Sequence, residues 1–488
     1  MATHPSLFSG PYRLVSWSVC ALVSLYAFEE MGVVAALPTA VGKLGGLAYF
    51  GWVYTGFLAA SVIGMVYSAH VCDQYGPRVP ALAASTLFVA GLTLAGTATQ
   101  MAPLVAGRVI QGVAGGGLMT AVYVIIGTFV PEAIRPRLFA VVSFCWVVPG
   151  VIGPTAAGAI TEHVGWRWVF LGLVPLTIAA AAPLVVALPS AVGVTRQTDV
   201  GRKPWPARVA APRIWSAVVA AAGIAAIQAG AERATASSAA VVACGAAAVV
   251  WALRGLLPRG TVLARSAVGS PVALRAITAG ALFGVESVIP LMMATQHGLG
   301  PLQASIPLAC AGLPCAISSW WVGRLGGEDA VDRRTSLARL GFGLLCVADA
   351  SFIWLSRPAT PSWLMSPAWV LAGFGIGLVV PTANVLVLAR TTDANRSADA
   401  SALQIASTTA SCVTTGFAGV LVGSASRGSL GYTTAFGIIG VSMAAVALLG
   451  VLAAGRLRLD VSRSGNNYVR SETEIQSATG AVNARDDR

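Results

Sequence analysis

The stretch "PLVAGRVIQGVAGGGLMTAVYVIIG" (residues 103–127) carries a single charged side chain, Arg108, in an otherwise apolar run. About 20 apolar residues in a helix cross about 30 Å of hydrocarbon, so this run predicts a membrane-spanning helix. Comparable runs recur from end to end. The 488-residue chain is 56% hydrophobic and only 10% charged, whereas soluble domains carry about 25% charged residues. The composition therefore predicts an all-α polytopic membrane protein.

About fourteen spanning helices are predicted from the length of the apolar runs. We group the first six into an N-terminal bundle (14–188), followed by a cytoplasmic linker and two extra spanning helices (189–257). Six more helices form a C-terminal bundle (271–456), and the polar tail (457–488) is predicted to be disordered. Duplicated bundles are typical of secondary transporters, which bind their substrates near the bilayer midplane between the two repeats.

The basic residues lie in short clusters between the apolar runs, so the net charge of +12 does not indicate nucleic-acid binding. With the N-terminus in the cytoplasm, roughly twenty-five Lys and Arg fall on the inner side of the bilayer and about five on the outer side. This bias predicts a multi-pass protein of the cytoplasmic (inner) membrane with both termini in the cytoplasm. We expect the chain to act as a monomer within the lipid bilayer.

Several kinds of catalytic site are disfavoured by the residue spacing. Neither lysine, Lys43 or Lys203, belongs to a G-x-x-x-x-G-K-[ST] phosphate loop. The four histidines and eight cysteines show no metal-ligand spacing. We therefore expect no catalytic residue, no metal and no cofactor.

Arg108 is the first candidate for function, because a full charge at the centre of a spanning helix costs about 2.5–3.5 kcal/mol on insertion scales. A side chain that reaches the outer interface would be the structural alternative. The surrounding string "LVAGRVIQGVAGGG" resembles the fourth-helix motif of proton-coupled drug antiporters in the major facilitator superfamily. Leu104, Arg108, Gln111 and Gly112 match it. The resemblance implies that Arg108 takes part in proton coupling.

The fifth apolar run, "VVPGVIGPTAAGAI" (147–160), is similar to the antiporter motif of the same family. Gly153, Pro154 and Gly158 match. Glycine and proline remove side chains and a backbone donor, which allows a bend and a close helix contact. An ordinary kinked packing helix is the alternative interpretation.

The loop "AHVCDQYGPRVP" (69–80) resembles the family's gating loop, which latches the inward-closed state. Asp73, Gly76 and Arg78 match, whereas Gln74 stands where relatives have a basic residue. The matching motifs together cover roughly the first 175 residues of the chain and imply the two-bundle fold of the family's fourteen-helix branch.

The stretch "LYAFEEMGVVAALP" (25–38) places Glu29 and Glu30 side by side in an apolar helix. Consecutive helical residues point about 100° apart, so the two acids are predicted to occupy different environments. A carboxylate at this depth requires a cavity or a protonated state. The stretch resembles the first-helix motif of the same branch, in which an acid precedes the proline of Ala-Leu-Pro at the spacing of Glu29 and Pro38. The resemblance implies that Glu29 couples protons and that Glu30 assists it or contacts cationic substrates.

Two further acids lie in apolar runs of the second half. Glu286 falls near the middle of its helix and is a candidate for proton coupling or for the lining of a substrate cavity. Asp349 lies closer to the outer end of its helix, where we expect more water.

The function that these patterns favour is proton-coupled export of small lipophilic or cationic compounds across the membrane. A transporter of a lipid, a siderophore or a metabolite with the same fold would keep the same motifs. A polytopic membrane enzyme or a non-transporting sensor are the alternatives from other classes. Transport assays separate these hypotheses.

Overall fold

The computed structural model describes residues 12–131, 134–188, 207–231, 236–258, 268–324, 330–391 and 396–455, together with residues 8, 260, 261 and 266. Fourteen helices in these parts of the chain are long and apolar enough to cross a membrane. They are α1 Arg13–Lys43, α2 Phe50–Tyr75, α3 Arg78–Gly96, α4 Met101–Phe129, α5 Arg137–Gly165, α6 Arg167–Ala187, α7 Ala211–Ala231, α8 Ser238–Leu256, α9 Gly269–His297, α10 Pro301–Gly323, α11 Arg333–Leu355, α12 Ser362–Val387, α13 Ser401–Ser426 and α14 Tyr432–Gly455. The predicted all-α membrane fold is confirmed.

The first six helices pack among themselves through close backbone contact, in which α4 is central. At Gly112 and Gly116 of α4, a Cβ atom would overlap the carbonyl oxygens of Phe57 and Ser61 on α2. Gly64 of α2 meets the backbone of α4 in the same way. The glycines of the opening stretch therefore serve helix packing, as small residues commonly do in membranes.

Helix α9 is broken close to Glu286, although the sequence predicted that Glu286 lies near the middle of one helix. Its two segments are Gly269–Glu286 and Ile289–His297. Pro290 has no N–H to donate to the carbonyl of Glu286, four residues earlier, and its ring crowds that carbonyl. The N–H of Val288 instead donates to the carbonyl of Val285 at 3.0 Å. Glu286 consequently lies at the end of a half-helix, a feature typical of transporter binding sites.

The N-terminal and C-terminal sets of six helices meet along two seams, α5 with α10 and α2 with α13. In the second seam the thiol of Cys412 donates to the carbonyl of Thr55, with Sγ 3.4 Å from the oxygen. Beside it, a Cβ on Gly51 would lie 3.0 Å from the Cα of Gly419. Gly51 and Gly419 lie near the end of the molecule where α1 finishes and α2 begins, which we call the α1/α2 end. The two halves are thus in close contact at that end.

Helices α7 and α8 pack against each other, and α7 also packs on α2. Val62 of α2, Ala217 of α7 and Ala252 of α8 belong to one small buried cluster. Residues 189–206 of the predicted linker and the predicted disordered tail lie outside the described residues. The division of the chain into two bundles and an insert remains a prediction.

Candidate functional site

A buried ion pair joins α1 to α4. Glu29 is 0% exposed and Arg108 is 2% exposed, and Nη1 of Arg108 donates to Oε1 of Glu29. The same nitrogen donates to Oε1 of Gln111 at 2.7 Å, and Nε donates to the carbonyl of Val53 at 3.4 Å. Arg108 therefore points into the helix bundle, and the alternative in which it reaches the outer interface is wrong. Leu104, one turn before it, is buried in the core.

Two polar atoms at the ion pair are buried without a hydrogen bond. Oε2 of Glu29 and Nε2 of Gln111 have no hydrogen-bond partner within the described parts of the chain. The guanidinium carbon of Arg108 lies 4.0 Å from the centroid of the Phe57 ring, a cation–π contact that adds stability where water is excluded. A buried pair of this kind is held by mutual attraction, so neutralising one member changes the environment of the other strongly.

Glu30 occupies a different environment from Glu29, as the helical geometry predicted. Its side chain is half-buried and interacts with the hydroxyl of Tyr26, one turn earlier on α1. The Tyr26 ring fits against Gly115 of α4, where a Cβ would overlap it. Position 115 must therefore be glycine for Tyr26 to reach this place.

Glu286 interacts electrostatically with Glu30, so one acid of each half contributes to the same electrostatic environment. Both acids are half-buried. Tyr54 of α2 also interacts with Glu286. We call Glu29, Arg108, Glu30 and Glu286 the central site.

Arg275 was missed by the sequence reasoning. It lies on α9, three turns before Glu286, and it is half-buried and interacts electrostatically with Glu30, Tyr123 and Cys315. The signal that could have found it is the one used for Arg108, a lone charge inside an apolar run.

Asp349 is fully buried, which contradicts the expectation of a wetter position. Neither carboxylate oxygen has a hydrogen-bond partner among the described residues. The backbone of α11 approaches α14 closely at this point, because a Cβ on Gly440 would lie 2.8 Å from the carbonyl oxygen of Asp349. Packing against α14, rather than distance from the helix end, thus decides its exposure.

The loop between α2 and α3 lies far from the central site, at the opposite end from the α1/α2 end. Gly76 has φ +76°, a conformation that glycine adopts without strain. Nη2 of Arg78 donates to the carbonyl of Val185 on α6 at 2.9 Å. Asp73 falls in the last turn of α2. The loop is thereby tied to the end of α6.

The three residues of the α5 motif have different surroundings. At Gly158 a Cβ would lie 2.6 Å from Oγ of Ser305 and 2.7 Å from the carbonyl oxygen of Pro301, both on α10. At Gly153 the nearest atom, Cδ2 of Phe28, is 3.6 Å away, which is an ordinary contact. Pro154 lies inside the helix. Only Gly158 is required for contact between the two halves.

We predict that Gly158→Ala slows substrate transport strongly, because the added methyl group forces α5 and α10 apart at the α1/α2 end. Gly153→Ala is the matched control on the same helix and should retain near wild-type transport. Initial transport rates at equal protein density in liposomes, with melting temperatures in detergent, test the pair. Equal rates for the two variants would contradict the close contact.

Comparison with known proteins places these features in context. A sequence profile described as Major Facilitator Superfamily matches residues 19–325 and, in a second alignment, residues 272–476. A probable multidrug-efflux transporter of Mycobacterium tuberculosis is 35% identical over 181 residues, 37% of this chain and 38% of that protein. An MFS-type efflux pump of a Fusarium species is 30% identical over 177 residues, 36% of this chain and 31% of that protein. The alignments thus span about a third of the curated relatives.

Solved structures share the fold at low sequence identity. A bacterial homologue of the human lysosomal transporter Spinster, in an inward-facing and occupied conformation, has a TM-score of 0.61 at 15% identity. That comparison covers 93% of this chain and 98% of the other. The human organic anion transporter MFSD10 has a TM-score of 0.62 at 14% identity and covers 91% of this chain and 100% of the other. The profile match covers more than half of the chain, so the chain belongs to the major facilitator superfamily, a family of membrane transporters.

Proposed function

We propose that the protein exports small lipophilic or cationic compounds across the cytoplasmic membrane in exchange for protons. The observation that carries this proposal is the buried Glu29–Arg108 pair beside the accessible acids Glu30 and Glu286. A proton that binds Glu29 removes its negative charge and weakens its hold on Arg108. A cationic substrate in the adjacent space would interact with Glu30 and Glu286. The efflux relatives named above support the direction of transport.

Competition between proton and substrate is the physical basis of the exchange. When Glu30 and Glu286 are deprotonated, their negative charges attract a cationic substrate. When they bind protons, that attraction is lost and the substrate is released. Alternating access then requires the two halves to move against each other around the central site. The close contacts at the α1/α2 end correspond to a conformation in which the two halves are closed at that end.

The test uses purified protein in liposomes with an imposed pH gradient and a panel of lipophilic cations, neutral amphiphiles and polar metabolites. We expect accumulation of cationic or neutral amphiphiles that depends on the gradient, together with proton movement in the opposite direction. Transport that is indifferent to the gradient would overturn proton coupling. Selective movement of a polar metabolite would identify a transporter of another substrate class.

We further infer that the α2–α3 loop, with Asp73, Gly76 and Arg78, gates the cytoplasmic end. We predict that Asp73→Asn slows turnover several-fold but changes substrate affinity little, because the loop lies far from the central site. Equilibrium binding in detergent and initial rates in liposomes separate the two effects. A large loss of affinity at an unchanged rate of exchange would refute the gating role.

A further inference from the structure

Arg275 is a cation in the membrane-spanning part of the protein. The proposed exchange mechanism assigns no role to it. It forms no hydrogen bond and no ion pair within 4.0 Å in the described parts of the chain, where Arg108–Glu29 is the salt bridge observed. Its neighbours at longer range are Glu30 and Tyr123 from the first half and Cys315 of α10. A guanidinium at this depth is costly, so it is expected to have a functional partner.

An accessible aromatic side chain interacts with Arg275. Tyr123 of α4 is 45% exposed and interacts electrostatically with Arg275 from the other half of the protein. Its ring stacks on Phe139 of α5, with centroids 6.1 Å apart and an interplanar angle of 22°. This accessible aromatic pair offers an apolar face to a ligand whose charged group reaches Arg275.

Two charges of the site lie at different depths on α9. Arg275 and Glu286 are separated by three helical turns, which corresponds to about 16 Å along the axis. Arg275 lies near the start of α9, whereas Glu286 lies deeper on this helix and Glu30 lies near the middle of α1. A guanidinium recognises a carboxylate or related oxyanion in a bidentate manner, whereas the acids attract a cation.

We propose that Arg275 binds the anionic group of the substrate, so that the preferred substrates are aromatic amphiphiles carrying both an acidic group and a cationic group. The aromatic body lies against Tyr123 and Phe139, the acid faces Arg275, and the cation points towards Glu30 and Glu286. This inference rests on the proposed function, since it names the substrates of the same site. Within the lipophilic compounds of the proposed function, it favours amphiphiles that carry both charges.

The experiment compares two dyes that differ by one ester group. Free tetramethylrhodamine is a zwitterion at neutral pH, and its methyl ester is a cation of nearly the same shape. Binding to the detergent-solubilised protein is measured by fluorescence anisotropy without any gradient. For Arg275→Gln we expect the affinity for the free acid to fall about tenfold or more, with little change for the ester. Arg275→Lys, which keeps the charge but loses the bidentate geometry, should fall between.

Lys43→Gln is the matched control, because it removes one positive charge from an exposed position at the α1/α2 end. It should leave the binding of both dyes unchanged. Equal losses for acid and ester in Arg275→Gln would show that Arg275 acts on the conformation of the protein, and this result would overturn the proposal. Wild-type protein that binds the ester but not the acid would overturn it as well. If neither dye binds, smaller aromatic amines are tested as pairs of acid and ester. If no acid binds in a way that depends on Arg275, the proposal is overturned.

Failure of this inference is distinct from failure of the proposed function. Dye binding requires no pH gradient, so Arg275-dependent acid binding in a protein that moves neither dye would refute export and leave the role of Arg275 intact. If both dyes are transported along the gradient and Arg275→Gln changes neither rate, the role of Arg275 is refuted and the proposed export is supported. Melting temperatures of each variant show whether the protein has remained folded.

Discussion

Replacing Glu29 by glutamine is expected to reduce substrate-driven proton movement to the level of protein-free liposomes. Glutamine has the size of glutamate, and its amide oxygen can still accept the hydrogen bond from Nη1 of Arg108. The buried contact between α1 and α4 therefore persists, while the group that binds a proton is lost. A pH-sensitive dye trapped in the liposomes measures proton movement on addition of substrate. Exchange of labelled for unlabelled substrate should continue, because it needs no net change of protonation.

Glu30→Gln is the control for this prediction, since it removes the neighbouring acid on the same helix. Glu30 is half-buried beside Tyr26 and faces Glu286, so its loss should weaken the binding of cations and leave coupling measurable. Normal pumping by Glu29→Gln, with none by Glu30→Gln, would reverse the two roles. Coupling that survives in the double variant would move the proton site elsewhere, and Glu286 would be tested next.

The second large effect is expected from Arg108→Leu, which leaves the Glu29 carboxylate buried without its partner. Removing one member of a buried ion pair costs about 3–5 kcal/mol. The variant should therefore show a clear fall in melting temperature and in the yield of folded protein. Leucine also cannot replace the hydrogen bonds to Gln111 and Val53.

Adding Glu29→Gln to Arg108→Leu should recover much of the lost stability, because the buried negative charge is then gone. The double variant should nevertheless fail to couple protons. Arg137→Leu is the control for loss of an arginine from the same half, because Arg137 is exposed at the start of α5; its effect should be within about 0.5 kcal/mol. Melting temperatures in detergent test all three variants. Equal destabilisation in single and double variants would show that the ion pair contributes little.

The helices could be predicted from the sequence because the signal for them is local. A bilayer demands about 20 apolar residues for every crossing, so hydropathy alone located the fourteen spans to within a few residues at most ends. The break in α9 was missed, although Pro290 lies four residues after Glu286 and carries the information. The apolar run was treated as one helix, and the missing N–H of Pro290 was not taken into account.

The site was only partly predictable. Lone charges in apolar runs identified Glu29, Arg108 and Glu286, since an ionisable group in a membrane is costly wherever it lies. The same argument applies to Arg275, which the sequence analysis did not consider. The water exposure of Asp349 was predicted from its distance to the helix end. Its burial is instead decided by packing against α14.

The sequence by itself determined that this chain crosses the membrane as helices, and which of its charges lie within them. The tertiary structure alone decided how those charges are grouped: Glu29 with Arg108, Glu30 with Glu286 across the two halves, and Arg275 without an ion pair to any described residue. Helix propensity and hydropathy depend on neighbours along the chain. Partners such as Glu29 and Arg108, 79 residues apart, are chosen by the rotation and close approach of whole helices, which glycines such as Gly112 permit only in the folded bundle.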